Sequence, residues 1–225
     1  MRHLRLAVVA AVAAALCAAP AAAAHGSHGH ADPTVTPAHK VSGTSGSKLL
    51  GEAWFQLLSN PVDTFGGSCI PLTRKGDVVA PEPDANLTAR CTVKKGTALF
   101  FYFGSDCSDV EPPPFFGADA EAQRACAVAV DHDFFTGATI SVDGGEPIDF
   151  FKPRFELVSR QRSVDLPPDN FLGVPAGPAT FVAHAWAVEV SKLRKGPHTI
   201  AVVVSDEEGG VSTFTASIDV VGGRH

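Results

Sequence analysis

The amino-acid sequence predicts a β-sandwich of about eight to ten strands with two short helices packed on it, and three observations carry that expectation. The last third holds three long runs, residues 180–190, 197–205 and 211–220, rich in Val, Ile, Phe and Thr and separated by Gly-containing turns. In the final run Phe214, Ala216, Ile218 and Val220 alternate with Thr213, Thr215, Ser217 and Asp219, so this strand has one dry and one wet face. Phenylalanine also occurs as adjacent pairs at 100–101, 115–116, 134–135 and 150–151. Neighbours on a strand point to opposite faces, so a pair inside a strand calls for cover on both sides of the sheet. The two helices are the natural cover.

The N-terminus reads as an export signal. Arg2 and Arg5 precede an apolar stretch from Leu6 to about Ala18, and Ala22-Ala23-Ala24 forms an A-x-A cleavage site. The apolar core is shorter than the roughly 20 residues of a membrane span. Residues 1–24 are therefore assigned to a signal peptide, with no membrane insertion after cleavage. Residues 25–47, rich in His, Gly, Ser, Thr and Pro, have little to bury and are expected as a disordered leader. Residues 48–225 are expected to form a single domain.

Within that domain residues 48–59 make the strongest helix. Leu49, Leu50, Ala53, Trp54, Leu57 and Leu58 fill two adjacent rows, Glu52 and Gln56 face outward, Ser47 stands at the cap and Asn60-Pro61 at the end. Residues 61–90 are loop-rich, with a short strand near 77–80 and a glycosylation-type triplet at Asn86-Leu87-Thr88 that implies surface exposure. Residues 91–94 and 97–103 read as paired strands across Lys95-Gly96. An acidic loop with three prolines follows at 105–114. A second helix spans 119–130, capped by Asp119, with Ala122, Ala125, Cys126 and Ala129 as a small-residue face suited to a sheet. Asp143-Gly144-Gly145 signals a hairpin between 138–142 and 147–151. Residues 154–158 and 162–166 suggest another, and the Pro-rich passage 167–178 a long crossing loop.

Four cysteines remain after signal removal: Cys69, Cys91, Cys107 and Cys126. An even number in an exported chain implies two disulfides with three possible connectivities, of which 69–91 with 107–126 is favoured because it closes two loops of about 20 residues. A tetrathiolate zinc site lacks its C-x2-4-C spacing. Loss of residues 1–24 leaves 16 basic against 24 acidic groups, a formal charge of −8. That balance argues against nucleic acid or an anionic membrane as partner.

With the motifs in place the chain resembles an uncharacterised family of secreted bacterial proteins loosely labelled "signal protein". The matching stretches are LLGEAW, CTVKKGTALFF, CSDVEPPPFFGAD, VDGG, LPPDNFLGVPAG and LRKGPHTI, in this order over most of 49–200. The resemblance implies export and carries over no activity, ligand or catalytic residue.

Three constellations bear on chemistry. Asp106, Asp109 and Glu111 on the acidic loop, with Asp131 and Asp133 near the second helix, would hold Ca²⁺ if they converge, or supply the acid/base pair of a secreted hydrolase. His25, His28 and His30 in the leader offer imidazoles suited to copper or nickel. His132, His184 and His198 are candidate parts of a catalytic triad, yet no G-x-S-x-G or H-E-x-x-H motif accompanies them. His184 shares a strand face with Val182, Trp186 and Val188, and is expected as a half-buried, hydrogen-bonded residue rather than a base. Two Trp and one Tyr against fifteen Phe argue against a sugar-stacking surface. The expected function is that of a secreted, non-enzymatic binding protein with an extracellular or cell-surface partner. A hydrolase using the acidic pair and a metal binder using the leader histidines are the alternatives.

Overall fold

A single 15-residue strand near the C-terminus organises the whole computed structural model. The structure describes residues 33–62 and 64–222, all within the unit Ala31–His225. The signal segment, Cys17 and the leader histidines His25, His28 and His30 lie outside the described residues.

Order begins earlier than the composition implied. β1 (Thr34–Pro37), β2 (Lys40–Val41) and β3 (Thr44–Ser45) arise from the segment expected as a disordered leader, which is thereby corrected from residue 34 onward. Sparse apolar residues suffice here: Ala38 and Val41 are fully buried and Val35 packs on the inter-sheet core. Pro37 is tolerated because β1 is an edge strand. α1 (Gly46–Leu58) buries Leu49, Leu50, Ala53, Trp54 and Leu58. Its cap is Ser45 rather than Ser47, without a side-chain cap bond; Gly46 N–H donates to the His39 carbonyl instead. A Cβ at Gly46 would collide with the Ala38 carbonyl, so only glycine permits this entry into the helix.

The chain continues through β4 (Cys69–Pro71), β5 (Val78–Pro81), β6 (Thr88–Lys94), β7 (Ala98–Phe103), β8 (Asp106–Ser108) and α2 (Ala120–Phe134). There follow β9 (Phe135–Val142), β10 (Ile148–Asp149), β11 (Glu156–Val158), β12 (Arg162–Leu166), β13 (Gly177–Ser191), β14 (Gly196–Asp206) and β15 (Val211–Val221). One sheet runs β1-β13-β7-β5-β4, with β8, β11 and β12 also on β13; the other runs β10-β9-β14-β15-β6.

The fold is a β-sandwich with two helices, as expected. Trp186, Val188 and Val190 of β13, with Leu99 and Phe101 of β7, meet Ile140, Ile200, Val202, Ala216, Ile218 and Val220 of the second sheet. On the opposite face of the first sheet, Phe100, Ala183, Ala185 and Ala187 receive α1. The three alanines give the helix a close approach. Phe100 and Phe101 thus enter different cores, as two-sided cover demanded.

Two expected hairpins are not hairpins. β6 and β7 belong to different sheets, so Lys95-Gly96 carries the chain across the sandwich. β11 and β12 do not pair with each other; they lie end to end along one edge of β13, at registers 184–186 and 177–181. Nothing between them supplies the φ > 0 pair of a two-residue hairpin turn, and β13 is long enough to receive both. The β9–β10 hairpin forms as expected. Both disulfides pair as expected: Cys69–Cys91 joins the edge strands β4 and β6 of the two sheets, and Cys107–Cys126 joins β8 to α2. No helix among the described residues is long and apolar enough to cross a membrane.

Candidate metal centre

Both edges of β13 lose their strand partner within residues 182–185. β7 ends with Phe103 across from Trp186 and β8 resumes with Asp106 across from Ala183, which leaves Gly104-Ser105 facing His184 and Ala185. On the other edge β11 ends at Val158 across from His184, and β12 resumes at Arg162 across from Phe181. The pleat sets His184 on the face of Trp186 and Val188, so α2 covers it.

α2 meets β13 through Gln123, Ala127 and Asp131, an i, i+4, i+8 row and the helix's buried residues. The small-residue face expected to pack on the sheet is not the one used: Ala122, Ala125 and Ala129 are exposed. Polar bonding decides the rotation. Gln123 Nε2 donates to Thr180 Oγ1 at 2.9 Å and to the Thr180 and Gly117 carbonyls, while Asp131 Oδ2 lies 2.7 Å from His184 Nδ1. Asp119 caps the helix by accepting from the N–H groups of Glu121 and Ala122, as expected. The helix outlasts its expected end at 130 by a turn, and this carries Asp131 and His132 into the site.

Asp131 Oδ2 also accepts from Ser105 N–H at 3.1 Å. A carboxylate oxygen accepts, so the proton of the Asp131–His184 bond sits on Nδ1, which leaves Nε2 as the ring atom that would bind a metal through its lone pair. Gly104 makes the arrangement possible: it sits at φ +155°, and a Cβ there would run into Asp131 Oδ2 and the His184 carbonyl.

His184 is wholly buried, and its Nε2 has no hydrogen-bond partner. It faces Glu156 Oε2 at 3.8 Å, and that same oxygen lies 3.6 Å from His132 Nε2. His132, Glu156 and His184 are the one group of His, Cys, Asp and Glu side chains among the described residues that could hold a metal, their donor atoms all within 4.8 Å of one another. Donors around a tetrahedral zinc at about 2.0–2.1 Å stand roughly 3.4 Å apart, so modest closure of this set completes the geometry. An Asp–His pair behind the donor nitrogen is the second sphere such centres use to orient and polarise the ring. Trp186, 1% exposed, walls the site, with its ring centroid 5.0 Å from that of His184 and 5.2 Å from that of His132. Phe103 stacks on Trp186 at 5.2 Å and Phe151 lies 4.4 Å away, so the wall is dry.

Among the described residues the acidic set forms no three-donor metal group. Asp109 binds Thr180 through N–H and Oγ1, both at 2.8 Å; Glu111 takes the Ser108 hydroxyl at 3.1 Å; Asp106 is buried on β8; Asp133 is exposed. Only Asp131 enters the site, as the partner of His184 rather than as a calcium ligand. Asp109 and Glu111 anchor the loop through these bonds. Of the triad candidates, His132 and His184 come together, while His198 bonds Asp143 at 2.7 Å and the Arg194 carbonyl at 2.9 Å and holds a turn. His184 Nε2 has no hydroxyl partner among the described residues. Glu156 escaped sequence reasoning altogether: its only local signal is a charged residue inside an otherwise apolar strand.

Neither family models nor curated proteins yield a match to the chain. Among solved structures the solution structure of amebosin aligns at 11% identity over 64% of this chain and 96% of that one, with a TM-score of 0.26, a likeness too weak to carry an argument.

Proposed function

We propose that the protein is an exported, disulfide-stapled β-sandwich whose ligand is a divalent transition-metal ion held by His132, Glu156 and His184. The reading rests on one observation above the others: the buried Nε2 of His184 has no hydrogen bond, while its Nδ1 is committed to Asp131. An unsatisfied buried acceptor costs roughly 1–3 kcal/mol, and a metal bond removes that penalty. Two imidazoles and one carboxylate suit zinc, nickel, cobalt and copper(II) better than calcium or magnesium, which prefer all-oxygen sites. Zinc is the reference ion. The two disulfides accord with an oxidising compartment, and so with secretion.

The test is zinc titration of the full mature chain by calorimetry, with His25, His28 and His30 replaced by alanine so that leader imidazoles do not contribute. One equivalent is expected to bind. His132→Ala, at an exposed position, abolishes that binding while the melt of the metal-free protein stays unchanged. Asp131→Asn weakens it about ten- to a hundredfold, as loss of a second-sphere carboxylate does elsewhere. At a hundredfold excess over Kd the bound ion adds about 2.7 kcal/mol of stability. Absence of saturable binding, or binding indifferent to His132→Ala, overturns the proposal.

A further inference from the structure

We infer that the ion in this centre keeps an exchangeable position facing solvent, and that its ligand there is a monodentate anionic oxygen or nitrogen donor. The inference deepens the metal-binding reading and rests on it. Among the described residues no fourth His, Cys, Asp or Glu joins the group, so these residues supply three donors. Three protein donors are the arrangement of zinc centres that hold a water or an external ligand in the fourth position, whereas structural sites are closed by four.

The direction of the open position follows from burial. His184 forms the floor with no exposed side-chain surface, whereas the side chains of His132 and Glu156 are 46% and 26% exposed. An ion between these three has protein beneath it and solvent on the side of His132 and Glu156.

Charge selects the class of ligand. A dication with the Glu156 carboxylate and two neutral imidazoles retains one positive charge in its first sphere. Asp131 lies behind His184 and stays outside that sphere. The dry wall of Trp186, Phe103 and Phe151 lowers the local dielectric, which strengthens the pull of the residual charge on an anion relative to water. In the exchange the metal–water bond breaks, a metal–anion bond forms and water leaves, with no change in oxidation state.

Cobalt(II) makes the exchange visible. The mature chain with His25, His28 and His30 changed to alanine is loaded with one equivalent of cobalt, and the d–d bands are followed while azide, then acetate, is added. A saturable shift in band position and intensity with one-to-one stoichiometry is expected for each anion, and no shift for added sodium perchlorate at equal ionic strength. Stoichiometric loading with a spectrum that neither anion alters overturns the exchangeable position and leaves the metal-binding reading standing. Failure of cobalt and zinc to load overturns both.

Discussion

Glu82 and Tyr102 form a part-buried polar pair that includes none of the metal donors. The tyrosine hydroxyl donates to Glu82 Oε1 at 2.9 Å. Burial pushes the Glu82 carboxyl up to about 8, the Tyr102 hydrogen bond offsetting part of that rise. Tyr102 in turn is raised well above its ordinary value by burial and then by the neighbouring carboxyl. Near neutral pH Glu82 is therefore a neutral acid in the folded chain and an anion in the unfolded one. Because the folded-state value is the higher, this group's contribution is complete below about pH 4.3, declines as pH rises, and levels off above about pH 8. Glu82→Gln removes the titration while keeping shape and hydrogen bonding. Denaturant midpoints of wild type are expected to fall from pH 5 to pH 8 more steeply than those of Glu82→Gln, and parallel profiles would refute the assignment.

At the scale of elements, α2 decides whether the centre exists, because it carries both Asp131 and His132. Three devices hold it: the Asp119 cap, the Gln123–Asp131 row on β13, and the Cys107–Cys126 staple to β8. A disulfide closing a loop of this size contributes roughly 3 kcal/mol by the chain-entropy model. In Cys107→Ala with Cys126→Ala the helix loses its covalent tie about one and a half turns before the donors. Amide exchange in α2 is expected to accelerate while β14 and β15 stay protected, and zinc affinity to fall at least tenfold. Unchanged affinity in a folded double variant would mean that the polar row alone positions the helix.

At the scale of the whole molecule, the Cys69–Cys91 bridge has a different task. It clamps the edge of one sheet to the edge of the other, at strands that carry none of the metal donors. Its removal is expected to destabilise the entire sandwich by roughly 3 kcal/mol, lowering Tm by about 6–12 °C. Zinc affinity of the folded protein should remain within about twofold of wild type. A loss of affinity as large as that expected for the other bridge would contradict this division of labour. Between the clamp and α1 the layers close on both faces of the first sheet, and this is what the Phe100-Phe101 pair records.

Much of this was legible in the chain itself, because local periodicity registers burial. The alternation in 211–220 marked a half-dry strand, the two apolar rows of 48–59 marked α1, and Phe100-Phe101 marked a sheet covered on both sides. Loop lengths between cysteines favoured one disulfide pairing of three, and the structure has that one. Periodicity tells which face a side chain occupies and is silent on which strand lies beside it. Hence β6 and β7 looked like partners and β11 and β12 like a hairpin, and the rotation of α2 was misjudged, since two hydrogen-bonded polar residues outweighed a row of alanines. The ordered start at Thr34 likewise depended on a vacant edge of β13, which no local property of residues 33–47 announces. The metal donors lie furthest from local reach. His132, Glu156 and His184 come from a helix end and two strands, and each alone resembles an ordinary surface or core residue. Only the tertiary structure sets Asp131 behind His184, leaves Nε2 unbonded and brings Glu156 to face it, because the free energy of a buried polar atom depends on partners distant in sequence.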